Sequence, residues 1–413
     1  MVSKVFVIGC GMGSLGTLTR DGWAALEASE LVVGSQRLLD ELAQLKARKL
    51  ALVASDAIAR ELHEAPESVA SVVMSGDVGL YSGATSLCPL IEDLDVEVIP
   101  GISSLQYLCA KLRVSWQDVC VVSAHGRAHN AVGAVQSHAK TFLLTGGRSG
   151  VAELCAQLVE RGLGDVRVCV GERLSYPDER ISRATAAELA GGSFAPLSVM
   201  LVENDRPISR GAEAPRLPDD AFQRGDVPMT KEEVRELAIC KLCIRTDDVV
   251  WDVGAGTGSV SIEAAFAARE GLVLAIERNS RAVELITKNR ERFALPNIRV
   301  IEGEAPDVLA GLPVPDRVFV GGSAGQLEAI LWAAIEANPA VRLCVAAITL
   351  ETLSEALRCV GALGLRNLDI AQVTVAKGRE LGAHHLMMGG NPIYLISADG
   401  PAAPERKMGE PCA

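Results

Sequence analysis

The sequence predicts an α/β fold in two domains, on three observations. Short β-branched runs alternate with longer amphipathic stretches, a Pro-, Gly- and charge-rich stretch with no apolar period interrupts that rhythm, and the rhythm then resumes. A length of 413 residues exceeds one ordinary core and suits two.

Taken in order, the first domain covers residues 1–205, with strand-like runs at 5–8, 72–74, 96–99, 119–122, 142–144 and 199–202. Residues 206–224 read as a linker, because Pro, Gly and charged residues leave nothing to bury. The second domain covers 225–400, with runs at 249–252, 273–277, 298–301, 318–320, 343–348, 373–376 and 393–396. Helical patterns such as 259–269 and 280–293 separate most of these, so crossover connections and a mainly parallel sheet follow. The tail 401–413, rich in Pro, Gly and charge, is expected to be flexible.

With 49% hydrophobic and 22% charged residues the composition is globular rather than disordered. No apolar run is long enough for a membrane span, and the N-terminal residues run straight into a strand and a glycine turn, so a cytoplasmic location is expected. The formal net charge of -12 argues against a nucleic-acid partner, which needs a basic face. Eleven scattered cysteines suggest reduced thiols. Cys240 and Cys243 form a CxxC inside an amphipathic stretch with no second pair, so core packing is expected there and no metal. His384 and His385 are expected to be structural.

The sharpest motif is VVWDVGAGTGSVSIEAA, in which a strand ends at Asp252, glycines follow at Gly254, Gly256 and Gly258, and a helix opens at Ser259. Such glycines allow a tight turn and close backbone approach, and the helix start presents free amides to a polar ligand. Glu277 closes the next strand 19 residues after Gly258, where a carboxylate can accept from a ribose. The same geometry would serve NAD. Asp252 directly before the glycines, and Glu302-Gly303-Glu304-Ala305 after the third strand, favour S-adenosylmethionine instead.

The stretch from Gly225 to about Ala398 resembles the seven-stranded, Rossmann-like class of methyltransferases, and DVPMTKEEVRELAICKLCIRTDDVVWDVGAGTGS resembles the precorrin carbon-15 methylating and decarboxylating family in particular. That resemblance implies cofactor contacts from Thr230, Asp252, Gly254, Gly256, Gly258, Glu277, Glu304, Ala305 and Gly322, with Ser323 of the Gly321-Gly322-Ser323 loop toward the substrate. Thr230 can also act as a helix N-cap, with Glu233 completing a capping box.

The first domain opens with VFVIGCGMGSLGTLT, and its Gly9-Cys10-Gly11-Met12-Gly13 turn fits a dinucleotide fingerprint. Its acidic partner is missing, since the expected second strand reads Leu31-Val32-Val33-Gly34. Three more glycine-rich strand ends follow: Ser75-Gly76-Asp77-Val78-Gly79, Pro100-Gly101-Ile102-Ser103-Ser104 and Thr145-Gly146-Gly147. Together they resemble the two-lobed tetrapyrrole methylase fold, and Ser123-Ala124-His125-Gly126-Arg127 resembles its carbon-5 methylating branch. The resemblance implies that Gly76, Asp77, Ser103, Ser104 and Thr145 surround S-adenosylmethionine while the opening loop, with Gly11, faces a macrocycle. Many relatives have proline where this chain has Val78, a change expected to alter loop stiffness.

The two resemblances imply one S-adenosylmethionine per domain, two per chain, and methylation of a precorrin at carbons 5 and 15 with loss of a ring carboxyl. A reduced tetrapyrrole is itself the nucleophile, so positioning dominates and no nucleophile–base constellation is required. Its carboxylates call for arginines, and Arg37, Arg127 and Arg148 are the candidates, with His125, near His129, as a proton carrier. Members of both families assemble, which implies a homo-oligomer. Three other readings stay open from sequence: a tRNA adenine methyltransferase, an NAD-dependent oxidoreductase and a binding scaffold. Counting S-adenosylmethionine and NAD sites separates them.

Overall fold

A computed structural model describes residues 2–124, 131–146, 150–208, 217–382 and 384–403. The chain divides into two compact units, one comprising Met1–Ala131, Lys140–Glu160 and Gly164–Asn204, the other Val132–Ala139, Arg161–Leu163 and Asp205–Ala413. Two short stretches inside 1–205 therefore group with the second unit, which no composition shift announces.

The first unit holds two five-stranded sheets. One is wholly parallel, in the order β3-β2-β4-β1-β5, from β1 (Lys4–Gly9), β2 (Leu31–Gly34), β3 (Arg48–Ala51), β4 (Val69–Met74) and β5 (Asp95–Ile99). Val5, Val7, Leu31, Val33 and Val72 fill one of its faces. The other sheet is mixed, in the order β6-β7-β10-β8-β9, from β6 (Cys120–Ser123), β7 (Lys140–Leu144), β8 (Arg167–Glu172), β9 (Arg180–Thr185) and β10 (Ser198–Glu203).

The second unit is built on a seven-stranded sheet, in the order β13-β12-β11-β14-β15-β19-β16. Its strands are β11 (Val249–Val253), β12 (Leu272–Glu277), β13 (Ile298–Glu302), β14 (Arg317–Val320), β15 (Arg342–Ala347), β16 (Arg366–Val373) and, after a hairpin of β17 (Ala376–Leu381) and β18 (His384–Gly389), β19 (Ile393–Asp399). β19 runs antiparallel to β15 and β16, and the others pair in parallel. Separate apolar clusters pack on its two faces, one around Val250 and Phe319 and one around Trp251 and Val318. From β11 the chain first winds one way to β12 and β13, then returns to β14 on the other side. The carboxyl ends of β11 and β14 thus flank a switch-point crevice.

The sequence reading differs from this architecture in several places, beginning with β3, β8, β9 and the β17–β18 hairpin, which it did not find. The run at 373–376 straddles the end of β16 and the start of β17 instead of forming a strand. The linker is only partly a linker: Ile208 and Phe222 are buried in the second unit's core, with Leu217 packed against them. Residues 209–216 and 404–413 lie outside the described residues, as does much of the tail. Cys240 is exposed and Cys243 ends the helix Glu232–Leu242 in a left-handed conformation, so the CxxC is a helix terminus rather than core. Nine cysteines are free, in keeping with the expectation of reduced thiols, and Cys243 alone of those described is in a disulfide.

Candidate functional site: a glycine-walled pocket in each unit

In the first unit three glycine turns meet backbone to backbone. Gly11 and Gly76 exchange hydrogen bonds, N–H to carbonyl, at 3.1 and 2.5 Å. A Cβ at Gly101 would lie 2.4 Å from the carbonyl oxygens of both Gly9 and Gly76, so no side chain fits. Asp77 fastens the turns: its Oδ1 accepts from the Gly79 amide at 2.8 Å and its Oδ2 from the Gly101 amide at 3.0 Å. Ser103 caps the helix Ser104–Leu112 in a capping box with Gln106. Thr145 Oγ1 donates to the Ser198 carbonyl at 2.7 Å.

Gly76, Asp77, Ser103, Ser104 and Thr145 all line one cavity of about 360 Å³. The sequence reading did not find its apolar walls, Leu80, Tyr81, Leu174 and Leu197, because single apolar residues in loops carry no periodic signal. Gly11 is not on the wall, since its backbone is spent on Gly76. Arg37 is not on it either. It is half-buried and donates to the Met12 carbonyl at 2.8 Å, Ser75 Oγ at 3.0 Å and Tyr176 Oη, which makes it a brace for wall residues Met12 and Ser75. His125, Arg127, His129 and Arg148 lie outside the described residues.

The second pocket, of about 400 Å³, opens at the switch point. Thr230, Gly254, Gly256, Glu277, Glu304, Ala305, Gly322 and Ser323 all line it, together with Met229 and Lys231 on either side of Thr230, and with Arg278, Asn279, Ile348 and Ile393 as walls the sequence reading missed. Gly254 and Gly256 have φ of +71° and +58°, and a Cβ would lie 2.5 Å from the Gly322 carbonyl oxygen and 2.8 Å from the Pro228 carbonyl oxygen respectively. Glu277 accepts from the Gly256 amide at Oε2 and the Asn279 amide at Oε1, both at 2.9 Å, which holds its carboxylate on the pocket wall. Arg278 and Glu304 form an exposed ion pair at 2.9 Å on the same rim.

Two expected contacts stand off this pocket. Gly258 turns into the helix Ser259–Ala267 and packs against Ile286. Asp252 is fully buried, accepts from Ser261 Oγ, and is pushed up to about 7 by burial, with the Glu277 charge adding to the effect. Thr230 is not a helix N-cap. Lys231 takes that position without a side-chain cap, and Glu233 pairs with Lys377 at 2.9 Å instead of closing a capping box.

Cavities of this size, walled by glycine turns with a few converging polar groups, suit a compact polar ligand. A family of tetrapyrrole (corrin/porphyrin) methylases matches residues 4–190, and a precorrin methyltransferase domain matches residues 220–398. A Sinorhizobium precorrin-6Y C(5,15)-methyltransferase (decarboxylating) is 33% identical over 310 residues, which span 73% of this chain and 74% of the relative. The chain belongs to this family of decarboxylating precorrin-6Y C(5,15)-methyltransferases.

As a member it is an enzyme with C-methyltransferase activity that uses S-adenosylmethionine. A cobalt-precorrin-6B C(15)-methyltransferase (decarboxylating) from Pyrobaculum calidifontis, so named as probable, is 42% identical over 187 residues, 45% of this chain and 95% of that relative. The crystal structure of a Geobacter metallireducens precorrin-6Y C5,15-methyltransferase is similar at 37% identity, over 46% of this chain and all of that one, with a TM-score of 0.43. No helix among the described residues is long and apolar enough to cross a membrane.

Proposed function

We propose that the chain methylates precorrin-6B at carbons 5 and 15 and releases carbon dioxide from a ring acetate, giving precorrin-8X, with one S-adenosylmethionine bound in each unit. The observation that carries this reading is the pair of glycine-walled pockets, one per unit and each of cofactor size. The first unit, about residues 1–205, performs the carbon-5 step and the second, about 225–400, the carbon-15 step and decarboxylation.

The residues present fit the donor in both places. Gly76 in the first pocket and Gly254, Gly256 and Gly322 in the second put no side chain between backbone and donor, Glu277 offers a ribose acceptor in the second pocket, and Ser104 with the Asp77 turn lines the first. When bound, S-adenosylmethionine supplies an electrophilic methyl group on a sulfonium. The chain's own contribution is to hold donor and ring in line and to exclude water, which supplies most of the acceleration such a transfer requires. In the second unit Ser323, Lys231 and Arg278 stand at the rim, where ring carboxylates arrive. His125, Arg127 and Arg148 are proposed to serve the ring in the first.

A homo-oligomer accompanies this reading. The hairpin β17–β18 exposes Leu381, Leu386, Met387 and Met388, an apolar surface that supports self-association. A cytoplasmic enzyme without a nucleic-acid partner also accords with the acidic charge.

Titration of the full chain with S-adenosylhomocysteine tests the reading: two sites per chain are expected, and no competition from NAD. A single site, or a precorrin-6B reaction that adds one methyl group without carbon dioxide release, would overturn it. Sedimentation at micromolar concentration checks assembly, with a monomer as the refuting result.

A further inference from the structure

Arg235, on the helix Glu232–Leu242, is fully buried, which is tolerated because both Nη atoms find acceptors, while Nε makes no hydrogen bond among the described residues. Its Nη1 donates to the Thr230 carbonyl at 2.8 Å and to Asp219 Oδ1 at 3.2 Å, and its Nη2 donates to the Leu217 carbonyl. The Phe222 ring lies beneath it, 4.6 Å from the guanidinium carbon, and Glu263 Oε1 is 3.9 Å from Nε. The same Glu263 oxygen accepts from the Leu217 amide at 2.9 Å, and Asp219 Oδ1 from the Glu232 amide at 3.0 Å.

These contacts, with the Lys231–Asp219 ion pair at 3.8 Å, join two stretches of the chain. Leu217, Asp219 and Phe222 belong to the stretch that composition marks as linker, whereas Thr230 closes the segment that roofs the second pocket. Between them the Pro228 carbonyl stands close to Gly256, and both ends of the arch 217–230 are tied to the same cation. A buried hydrocarbon would fill the same volume without fixing either carbonyl. The fork therefore specifies geometry.

We propose that Arg235 is a positioning residue that sets the arch 217–230 over the second pocket and thereby the affinity of that pocket for its sulfonium donor, without taking part in methyl transfer. The inference rests on the reading of that pocket as a donor site.

The test uses the full chain with Arg235→Lys, which keeps the charge and loses the fork, and Phe222→Leu, which keeps the fork and loses its platform. In Arg235→Lys one of two S-adenosylhomocysteine sites is expected to weaken about tenfold while the other is unchanged. Amides 229–232 should exchange faster with deuterium. The KM for S-adenosylmethionine in the carbon-dioxide-releasing reaction should rise with kcat within about twofold, and carbon-5 methylation should be unaffected. Phe222→Leu should move the same readouts less. Should Arg235→Lys not fold, Phe222→Leu decides alone, and unchanged affinity and exchange in it overturn the proposal. So does a fall in kcat at constant KM, or two unaltered sites in Arg235→Lys. A missing second site in the unsubstituted chain would instead sink the reading of the pocket.

Discussion

At the scale of single residues, burial decides which groups are reactive. Burial alone pushes the Cys10 thiol up to about 12, and it also pushes Cys344 up to about 12, so neither is a thiolate near neutrality. A maleimide titration of the native chain should label exposed Cys240 and leave Cys10 and Cys344 unmodified until denaturant is added. Asp252 is buried as well. Its folded value of about 7 lies above the ordinary 3.8, so between those values the fold holds a proton that the unfolded chain has lost. Stability should accordingly fall as pH rises through that window, by an amount on the order of a few kcal/mol. Asp252→Asn should flatten the curve and leave the chain at least as stable at pH 8. Urea midpoints from pH 4 to 8 check this, and a parallel loss in both proteins would contradict it.

At the scale of elements, the glycine turns carry the sharpest expectations. In Gly256→Ala the new methyl meets the Pro228 carbonyl oxygen at 2.8 Å in a left-handed conformation, a strain of about 1–3 kcal/mol. Calorimetric titration should show the second pocket's affinity down at least about tenfold and the first pocket's unchanged. The elements read correctly from sequence are those whose pattern is local. β1, β11 and β14 are buried apolar runs that lead into glycine, and β12 ends in a carboxylate, signals carried by residue type alone. β9 and β17 were not legible, because an exposed strand such as Arg180–Thr185 owes its conformation to pairing with β8 rather than to its own residues. The roof segment shows the same limit. Thr230 was found by its motif, but the role of Phe222 and Leu217 depends on Arg235, a contact that spacing along the chain does not reveal.

At the scale of the whole molecule, each unit has its own apolar clusters and its own pocket. Damage to one wall should therefore leave the other chemistry standing. Gly101→Ala, whose methyl would overlap two carbonyl oxygens at 2.4 Å, should destabilise the first unit by about 1–3 kcal/mol and depress carbon-5 methylation, with carbon dioxide release retained. Mass spectrometry of the product and trapping of the gas measure the two separately. A joint loss would mean that the units do not act on their own. The same division explains why the overall organisation could be read from residues alone, whereas the stretches 132–139 and 161–163, which group with the second unit, could not: their partners are distant in sequence.

The interlock of Gly9, Gly11, Gly76 and Gly101 has a practical corollary for anyone wishing to enlarge the first pocket. Main chain packed on main chain gives mutagenesis no handle, and a library spread over these turns would return mostly misfolded clones. Extra room has to come from side chains on the wall itself, by trimming Tyr81, Leu174 or Leu197.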